Sequence, residues 1–243
     1  MSMLLTKHCR PLDLERMLNG YFKIGSHEEY SKGETAGTLS DTAEGQGGFS
    51  LQGDLVSFTG NIGSSRFENV SSIGSGSGFS LVFNDKINSL MFCASLGAYD
   101  PKRHEAIMRG DLNRSYAPNK ELTAYLTLDA DKLNEALVAA TDEFFGVRTR
   151  WISCPVSYGE RQEILDANQF NGFDSQHLMM RLAKQASLKP DKFQVEQEFR
   201  FLMVLLPNRE LPEVILSKDL STDIHEAFKR TIVDTGHFSS GSI

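Results

Sequence analysis

Residues 196–206 read EQEFRFLMVLL, and the part from Phe199 onward is the most apolar run in the chain. A run of this length and composition is typical of a central strand that is covered on both faces. Alternate side chains of a strand share a face, so we predict that Glu196, Glu198 and Arg200 lie together where the strand enters the core. A carboxylate in that place is costly unless it meets water, a cation or a ligand. The alternative is an ordinary strand start, with Glu198 and Arg200 in a local ion pair.

Helical and strand patterns alternate through the rest of the chain. Apolar residues at 3.6-residue spacing predict helices over 12–19, 131–145, 174–186 and 221–229. Short apolar runs and period-two alternation predict strands over 79–83, 90–94, 121–128 and 151–158, with the first two joined as a hairpin. The fold class that follows is α+β, with a mixed or antiparallel two-sheet core and flanking helices.

The stretch from about 33 to 78 differs in composition, because it is rich in Gly and Ser and poor in Leu and Ile. We predict a single domain over 1–243 with a loop-rich excursion at 33–78 that contains at most short strands near 49–58. The glycines at 74–78 lead into a strand and not into a helix, so they lack the helix N-terminal amides that hold phosphate in glycine-rich loops. A linker or lid is therefore favoured over a ligand loop.

Composition and charge exclude several classes of protein. The chain has 243 residues with 25 Lys+Arg against 32 Asp+Glu, a net charge of −7, which argues against phosphate tracking along a nucleic acid as the main activity. No apolar run is long enough to span a membrane, and the N-terminus has no secretory pattern. The three cysteines and six histidines are not spaced as a disulfide scaffold or a zinc site. We expect a cytoplasmic protein without a membrane partner or a metal.

A second candidate site is the end of the predicted strand over 90–94. The strand ends in the small hydroxyl residue Ser95, followed by a Gly turn and the aromatic Tyr99. Strand ends often carry reactive side chains, although Ser95 could equally cap the next turn. Cys93 lies within the apolar run and is interpreted as a buried structural thiol.

The third candidate is the short strand over residues 4–10, just before the first helix. The planar guanidinium of Arg10 could hold a phosphate at the strand end. The imidazole of His8 could instead lie under a ribose. An ordinary surface role for either residue remains open.

In their order along the chain, these three sites resemble the ADP-ribosyltransferase superfamily, and most closely its arginine–serine–glutamate class. The matching positions are Arg10, Ser95 and the pair Glu196 and Glu198. The opening, LLTKHCRPLDLERMLNGYFKIG, also resembles the histidine class of that superfamily. The whole chain resembles a bacterial family of unknown function, met in phage and defence contexts, at 7–10, 92–95 and 196–200.

The resemblance implies that NAD is the substrate and that no metal is needed. Glu198 would bind the ribose 2′-OH and stabilise an oxocarbenium-like state, Ser95 would orient Glu198, and Glu196 would face the acceptor. The remaining implied contacts to NAD are Arg10 on the diphosphate, His8 on the ribose, and Tyr99 or Phe92 on the nicotinamide, although Phe92 could equally belong to the core. The Gly/Ser-rich excursion would close over the dinucleotide as a lid.

The hypothesis is therefore an NAD-dependent ADP-ribosyltransferase, a glycosyltransferase-class enzyme, or an NAD glycohydrolase when water is the acceptor. A macromolecular acceptor would be a protein or a nucleic acid, and a toxin or defence role in phage–bacterium conflict fits the second resemblance. The alternative is a non-catalytic binding or defence module on a related scaffold. The sequence departs from the superfamily pattern in reading Cys-Ala-Ser at 93–95 and in lacking a Gly after Arg10. A nuclease is the third possibility, but no paired D/E-x-K arrangement stands out.

Overall fold

The computed structural model describes residues 2–32, 46–53, 58–62, 65–70, 79–86, 89–110, 118–160, 162–166, 172–173, 180, 183–204 and 211–238. The α-helices in these ranges are α1 (Pro11–Leu18), α2 (His27–Lys32), α3 (Pro101–Arg109), α4 (Ala130–Phe145) and α5 (Thr222–Lys229), and 3₁₀ helices cover Asp191–Glu196 and Ser217–Asp219. None of these helices is both long and apolar enough to cross a membrane.

The strands in the same ranges are β1 (Leu4–Cys9), β2 (Lys23–Ser26), β3 (Gln46–Gly53), β4 (Phe58–Ile62), β5 (Ser65–Val70), β6 (Phe79–Lys86), β7 (Leu90–Leu96), β8 (Ala124–Asp129), β9 (Arg150–Pro155), β10 (Ser157–Tyr158), β11 (Gln162–Asp166), β12 (Gly172–Phe173), β13 (Leu188–Lys189), β14 (Glu198–Val204), β15 (Val214–Leu216) and β16 (Ile232–His237). With the helices, they make an α+β fold around one large antiparallel sheet, and the α+β class is the one that the sequence predicted.

The large sheet has eight strands, and every pairing in it is antiparallel. One path through it runs β9–β14–β7–β1–β8–β16. Strand β2 also pairs with β7, and β15 pairs with β2. Three smaller sheets also form: β11–β3–β6, β12–β4–β5 and β10–β13. The predicted hairpin over 79–94 is wrong, because β6 pairs with β3 whereas β7 lies in the large sheet.

Strand β7 changes partners along its length. One of its edges pairs with β14. On the other side, its last two residues pair with β1 and its first two pair with β2. Because a strand has only two edges, β1 and β2 share one of them and separate near Cys93. The Lys7 side chain occupies this separation, since its Nζ donates a 2.7 Å hydrogen bond to the Cys93 carbonyl oxygen.

Strand β14 is buried on both faces, which confirms the prediction for the apolar run. Phe199, Phe201 and Met203 enter the main core, whereas the alternate residues Arg200 and Leu202 are buried on the opposite face. Each fully buried apolar side chain of this size stabilises the fold by roughly 1.5–3 kcal/mol. The strand therefore holds its polar residues firmly in place because its other face is locked into the core.

Helix α4 covers the core face of the sheet, and its ends follow from the sequence. Leu133, Leu137 and Ala140 are fully buried at helical spacing. The Asp129 carboxylate caps the first turn by accepting hydrogen bonds from two backbone N–H groups. Gly146 ends the helix in the left-handed conformation, with φ of 64°. The predicted helix over 131–145 is confirmed.

Other predictions divide between the described and undescribed parts of the chain. The helices predicted over 12–19 and 221–229 are confirmed by α1 and α5. In the Gly/Ser-rich stretch over 33–78, β3, β4 and β5 form where mostly loop was expected. Backbone pairing stabilises these strands despite their weak local propensity: β3 pairs with β6 and β11, and β4 pairs with β5 and β12. The remainder of that stretch, and most of the helix predicted over 174–186, lie outside the described residues.

Candidate active site

Three neighbouring strands place polar side chains in one row on the face of the sheet opposite the main core. Thr6 of β1 is directly opposite Ser95 of β7, and Ser95 is directly opposite Glu198 of β14. Opposed residues of antiparallel strands point to the same face, with Cβ atoms about 4.5–5.5 Å apart. The next position along holds Arg200 of β14 opposite Cys93 of β7.

A cavity of about 150 Å³ lies against this row. Its lining includes all three residues of the row, together with His8 and Lys7 of β1, Lys189 of β13, and Glu196 and Arg200 on either side of Glu198. Tyr30 of α2 and Ile107 of α3 contribute to its walls. Two of the three predicted sites, the end of β7 and the paired glutamates, thus meet at one cavity, with His8 from the third.

Glu196 and Glu198 both line this cavity, but not as neighbours on one strand face, which was the prediction. Glu196 ends the 3₁₀ helix, Gln197 follows in the left-handed conformation with φ of 43°, and β14 begins at Glu198. The two carboxylates therefore do not lie on one strand face. Instead, the turn at Gln197 brings both to the ammonium of Lys189, at 2.6 Å from Glu196 Oε2 and 2.7 Å from Glu198 Oε2.

Glu198 is a buried carboxylate held between two cations. Lys189 contacts one carboxylate oxygen, and Arg200 Nε donates a 2.5 Å hydrogen bond to the other. Arg200 is 1% exposed and also donates to the carbonyl of Ala186. Burial alone would raise the pKa of Glu198, but Arg200 and Lys189 outweigh it and hold that pKa well below its usual range. Glu198 is therefore ionised at neutral pH.

Glu196 has the opposite electrostatic character. Burial and the neighbouring charge of Glu198 raise the pKa of Glu196 to about 7, against the opposing effect of Lys189. A carboxyl group with this pKa gains and loses a proton near neutral pH, as a general acid or base requires. Their surroundings thus lower the pKa of Glu198 and raise the pKa of Glu196.

The end of β1 supplies a neutral imidazole to the cavity. Burial, followed by the charges of His104, Arg103 and Lys7, lowers the pKa of His8 to about 3. Its ring lies 4.6 Å from that of His104, centroid to centroid. Neither ring nitrogen of His8 has a hydrogen-bond partner among the described residues. Buried imidazole nitrogens usually have such partners, so His8 is available to a polar group in the cavity.

Three residues of the predicted NAD contacts lie away from the cavity lining. Arg10 immediately precedes α1, and its Nε contacts the Asp13 carboxylate at 2.7 Å. Tyr99 stacks on Tyr125 with ring centroids 3.5 Å apart. Phe92 is 2% exposed and lies in the main core, which favours the alternative of a core residue over a nicotinamide contact.

The structure adds two residues that the sequence did not reveal. Lys189, in the segment Ser-Leu-Lys-Pro, has no pattern that distinguishes it from a surface lysine. Tyr158 accepts a 2.8 Å hydrogen bond from the backbone N–H of Glu198 through its hydroxyl oxygen. Burial raises the pKa of Tyr158 to about 12. Both residues reach the site through pairings that are nonlocal in sequence: β13 pairs with β10, and the chain just before β10 pairs with β14.

Within the described ranges, no group of three His, Cys, Asp or Glu side chains is arranged to hold a metal ion. Comparison of the chain with protein-family models, curated proteins and solved structures returns no match.

Proposed function

We propose that the chain is an NAD-dependent ADP-ribosyltransferase, or an NAD glycohydrolase when water is the acceptor. The observation that carries the proposal is the meeting of Ser95, Glu196 and Glu198 at one cavity, in surroundings that lower the pKa of Glu198 and raise that of Glu196 to about 7. The cavity is smaller than the ~300–1,000 Å³ of sites that enclose drug-sized ligands. In the proposed complex, only the nicotinamide-ribose end of NAD enters this cavity.

The proposed reaction breaks the bond between C1′ of the ribose and the nicotinamide nitrogen. The bonding electrons leave with nicotinamide, which departs neutral, and positive charge develops on C1′ and the ring oxygen of the ribose. A carboxylate beside the ribose stabilises that charge, as in glycoside cleavage. The acceptor then forms a bond to C1′ and loses its proton.

Each cavity residue has a role that its environment supports. Glu198 is the anion that stabilises the charged ribose. Glu196 accepts the proton of the acceptor, because its pKa near 7 matches that task. Ser95, opposite Glu198, orients that carboxylate, and His8 offers a hydrogen bond to a polar group of the substrate. The acceptor is a macromolecule, a protein or a nucleic acid, and phage–bacterium conflict is the proposed setting.

One observation favours a second function, a non-catalytic binding or defence module on a related scaffold. Both carboxylate oxygens of Glu198 already contact a cation, Lys189 on one side and Arg200 on the other. A carboxylate paired in this way has less negative potential to offer a developing cation. In this alternative the buried charges define the shape of a binding cavity and carry out no chemistry.

The test incubates the purified chain with NAD labelled in its ADP-ribose part, with and without cell lysate. Released nicotinamide and label on macromolecules are both measured. We expect one or both to appear with the native chain and to fall at least about 100-fold in Glu198→Gln. The matched control is Glu226→Gln, which changes an exposed glutamate paired with Lys229 and is expected to keep full activity.

Thermal unfolding of each variant distinguishes lost chemistry from lost folding. If Glu198→Gln unfolds, Ser95→Ala replaces it and is expected to reduce turnover without breaking the ion network. Native protein that neither releases nicotinamide nor transfers label, but binds a lysate component, would support the binding module and overturn the enzymatic proposal.

A further inference from the structure

The ammonium of Lys189 is the point at which the two glutamates meet. Its side chain is 7% exposed, and its Nζ lies within 2.7 Å of a carboxylate oxygen of both Glu196 and Glu198. The same Nζ lies 4.5 Å from the centre of the Phe193 ring, which covers it. A buried charge pair is screened little by solvent, so the contacts are strong and directional.

We propose that Lys189 is a positioning residue that holds the carboxylates of Glu196 and Glu198 together at the wall of the cavity. The inference rests on the proposed function and adds to it the group that makes the glutamate pair possible. Two buried carboxylates this close to one point repel each other unless a cation lies between them. Arg200 contacts Glu198 on its other oxygen, whereas Lys189 contacts both glutamates.

Lys189 occupies this position because of backbone pairing elsewhere. It ends the two-residue strand β13, which pairs in parallel with β10, and Tyr158 of β10 binds the backbone of Glu198. One short sheet thus aligns the lysine with the start of β14. Within the described residues, the other titratable or charged groups that line this cavity are Lys7 and His8 of β1, Tyr30 of α2, Cys93 of β7 and Arg200 of β14. Tyr158 of β10 contacts the backbone of Glu198, and Arg103 of α3 donates a hydrogen bond to the side chain of Gln197.

The decisive experiment follows the carboxyl carbons of Glu196 and Glu198 by ¹³C NMR across pH, in the native chain and in Lys189→Ala. Loss of an opposite charge at this distance raises a carboxyl pKa by about 1–3 units, so we expect both titrations to move to higher pH. NAD turnover at pH 7 is expected to fall about tenfold or more and to recover in part with added ethylammonium or at higher pH. Lys189→Arg keeps the charge and is expected to retain more activity than Lys189→Ala.

Controls separate this role from a merely structural one. Lys229→Ala removes an exposed lysine from its contact with Glu226 and should move neither titration. If Lys189→Ala does not fold, Lys189→Ala combined with Glu196→Gln removes one charge of each sign, and the titration of Glu198 becomes the reporter. Unchanged carboxyl titrations would overturn the inference. The NMR titration needs no NAD. An inactive native chain would therefore overturn the proposed function, whereas the titration would still test whether Lys189 holds the two carboxylates.

Discussion

The hydroxyl oxygen of Tyr158 accepts a 2.8 Å hydrogen bond from the backbone N–H of Glu198. This contact joins the short strand β10 to the first residue of β14, at the place where the chain leaves the left-handed turn at Gln197. A backbone N–H at a buried strand end needs an acceptor, and here a side chain supplies it. The position of Glu198 in the cavity therefore depends on a residue 40 positions earlier.

Tyr158→Phe should expose this dependence. The variant leaves the N–H of Glu198 without its acceptor, so we expect a loss of about 1–3 kcal/mol in the free energy of unfolding. Denaturant titration measures the loss. Tyr21→Phe, which changes a tyrosine that is 42% exposed, is the control and should stay near native stability. Equal stability of Tyr158→Phe and the native chain would contradict the proposed anchoring.

The raised pKa of Glu196 predicts how stability changes with pH. A carboxyl pKa raised on folding to about 7, from 4.5, means that the folded chain binds more protons between those values. The contribution of Glu196 to the free energy of unfolding is then greatest at low pH and decreases as the pH rises toward 7. Between pH 5 and 8, the native chain should lose up to about 3 kcal/mol relative to Glu196→Gln. Denaturant titrations at both pH values decide this, and parallel pH profiles would count against it.

Gln197 has the left-handed backbone conformation, with φ of 43°, between the two glutamates. Gln197→Val places a β-branched residue where such residues are disfavoured, and we expect a loss of roughly 1–3 kcal/mol. Gln197→Gly relieves the backbone strain but loses the 2.7 Å contact of the side chain with Arg103, so its stability should stay near native. If both variants have the same stability, the turn does not need its left-handed conformation.

Lys7 and Arg10 provide a paired test at the N-terminal strand. Lys7 lines the cavity and donates a hydrogen bond to the Cys93 carbonyl, so Lys7→Met should lower stability by about 1–3 kcal/mol. Arg10 makes an exposed ion pair with Asp13, so Arg10→Ala should cost no more than about 1 kcal/mol. We also expect NAD turnover to remain within about twofold in Arg10→Ala. A tenfold loss there would instead return Arg10 to the diphosphate role that the resemblance implies.

Local patterns were sufficient to predict the elements whose stability is also local. Helix α4 combines helical periodicity with an Asp cap and a Gly stop. Strand β14 lies in the most apolar run of the chain, so each element can be recognised from its own segment. Predicting the position of Arg10 would have required the exact boundary between β1 and α1. Strand β1 ends at Cys9 and Pro11 begins α1, so Arg10 lies at the start of the helix. The β1 residues that line the cavity are Thr6, Lys7 and His8.

The rest of the site depends on contacts that no local pattern contains. Lys189 reaches the glutamates through the β10–β13 pairing, and the turn at Gln197 changes the direction in which Glu196 points. The order of β6 and β7 suggested a hairpin, but their hydrogen bonds go to different sheets. Sequence order predicts neighbours only when short-range pairing prevails, and in this sheet most partners are distant along the chain.

The edge of β7 that β1 and β2 share has a consequence for the wall of the cavity. Near Cys93, between the stretch of β7 that pairs with β1 and the stretch that pairs with β2, the ammonium of Lys7 contacts the backbone carbonyl. A side chain of this kind swings aside by rotating about its own bonds, without disturbing the ladder between β7 and β14. Part of this cavity wall is therefore formed by a rotatable side chain, and not by the backbone hydrogen bonds that join β7 to β14.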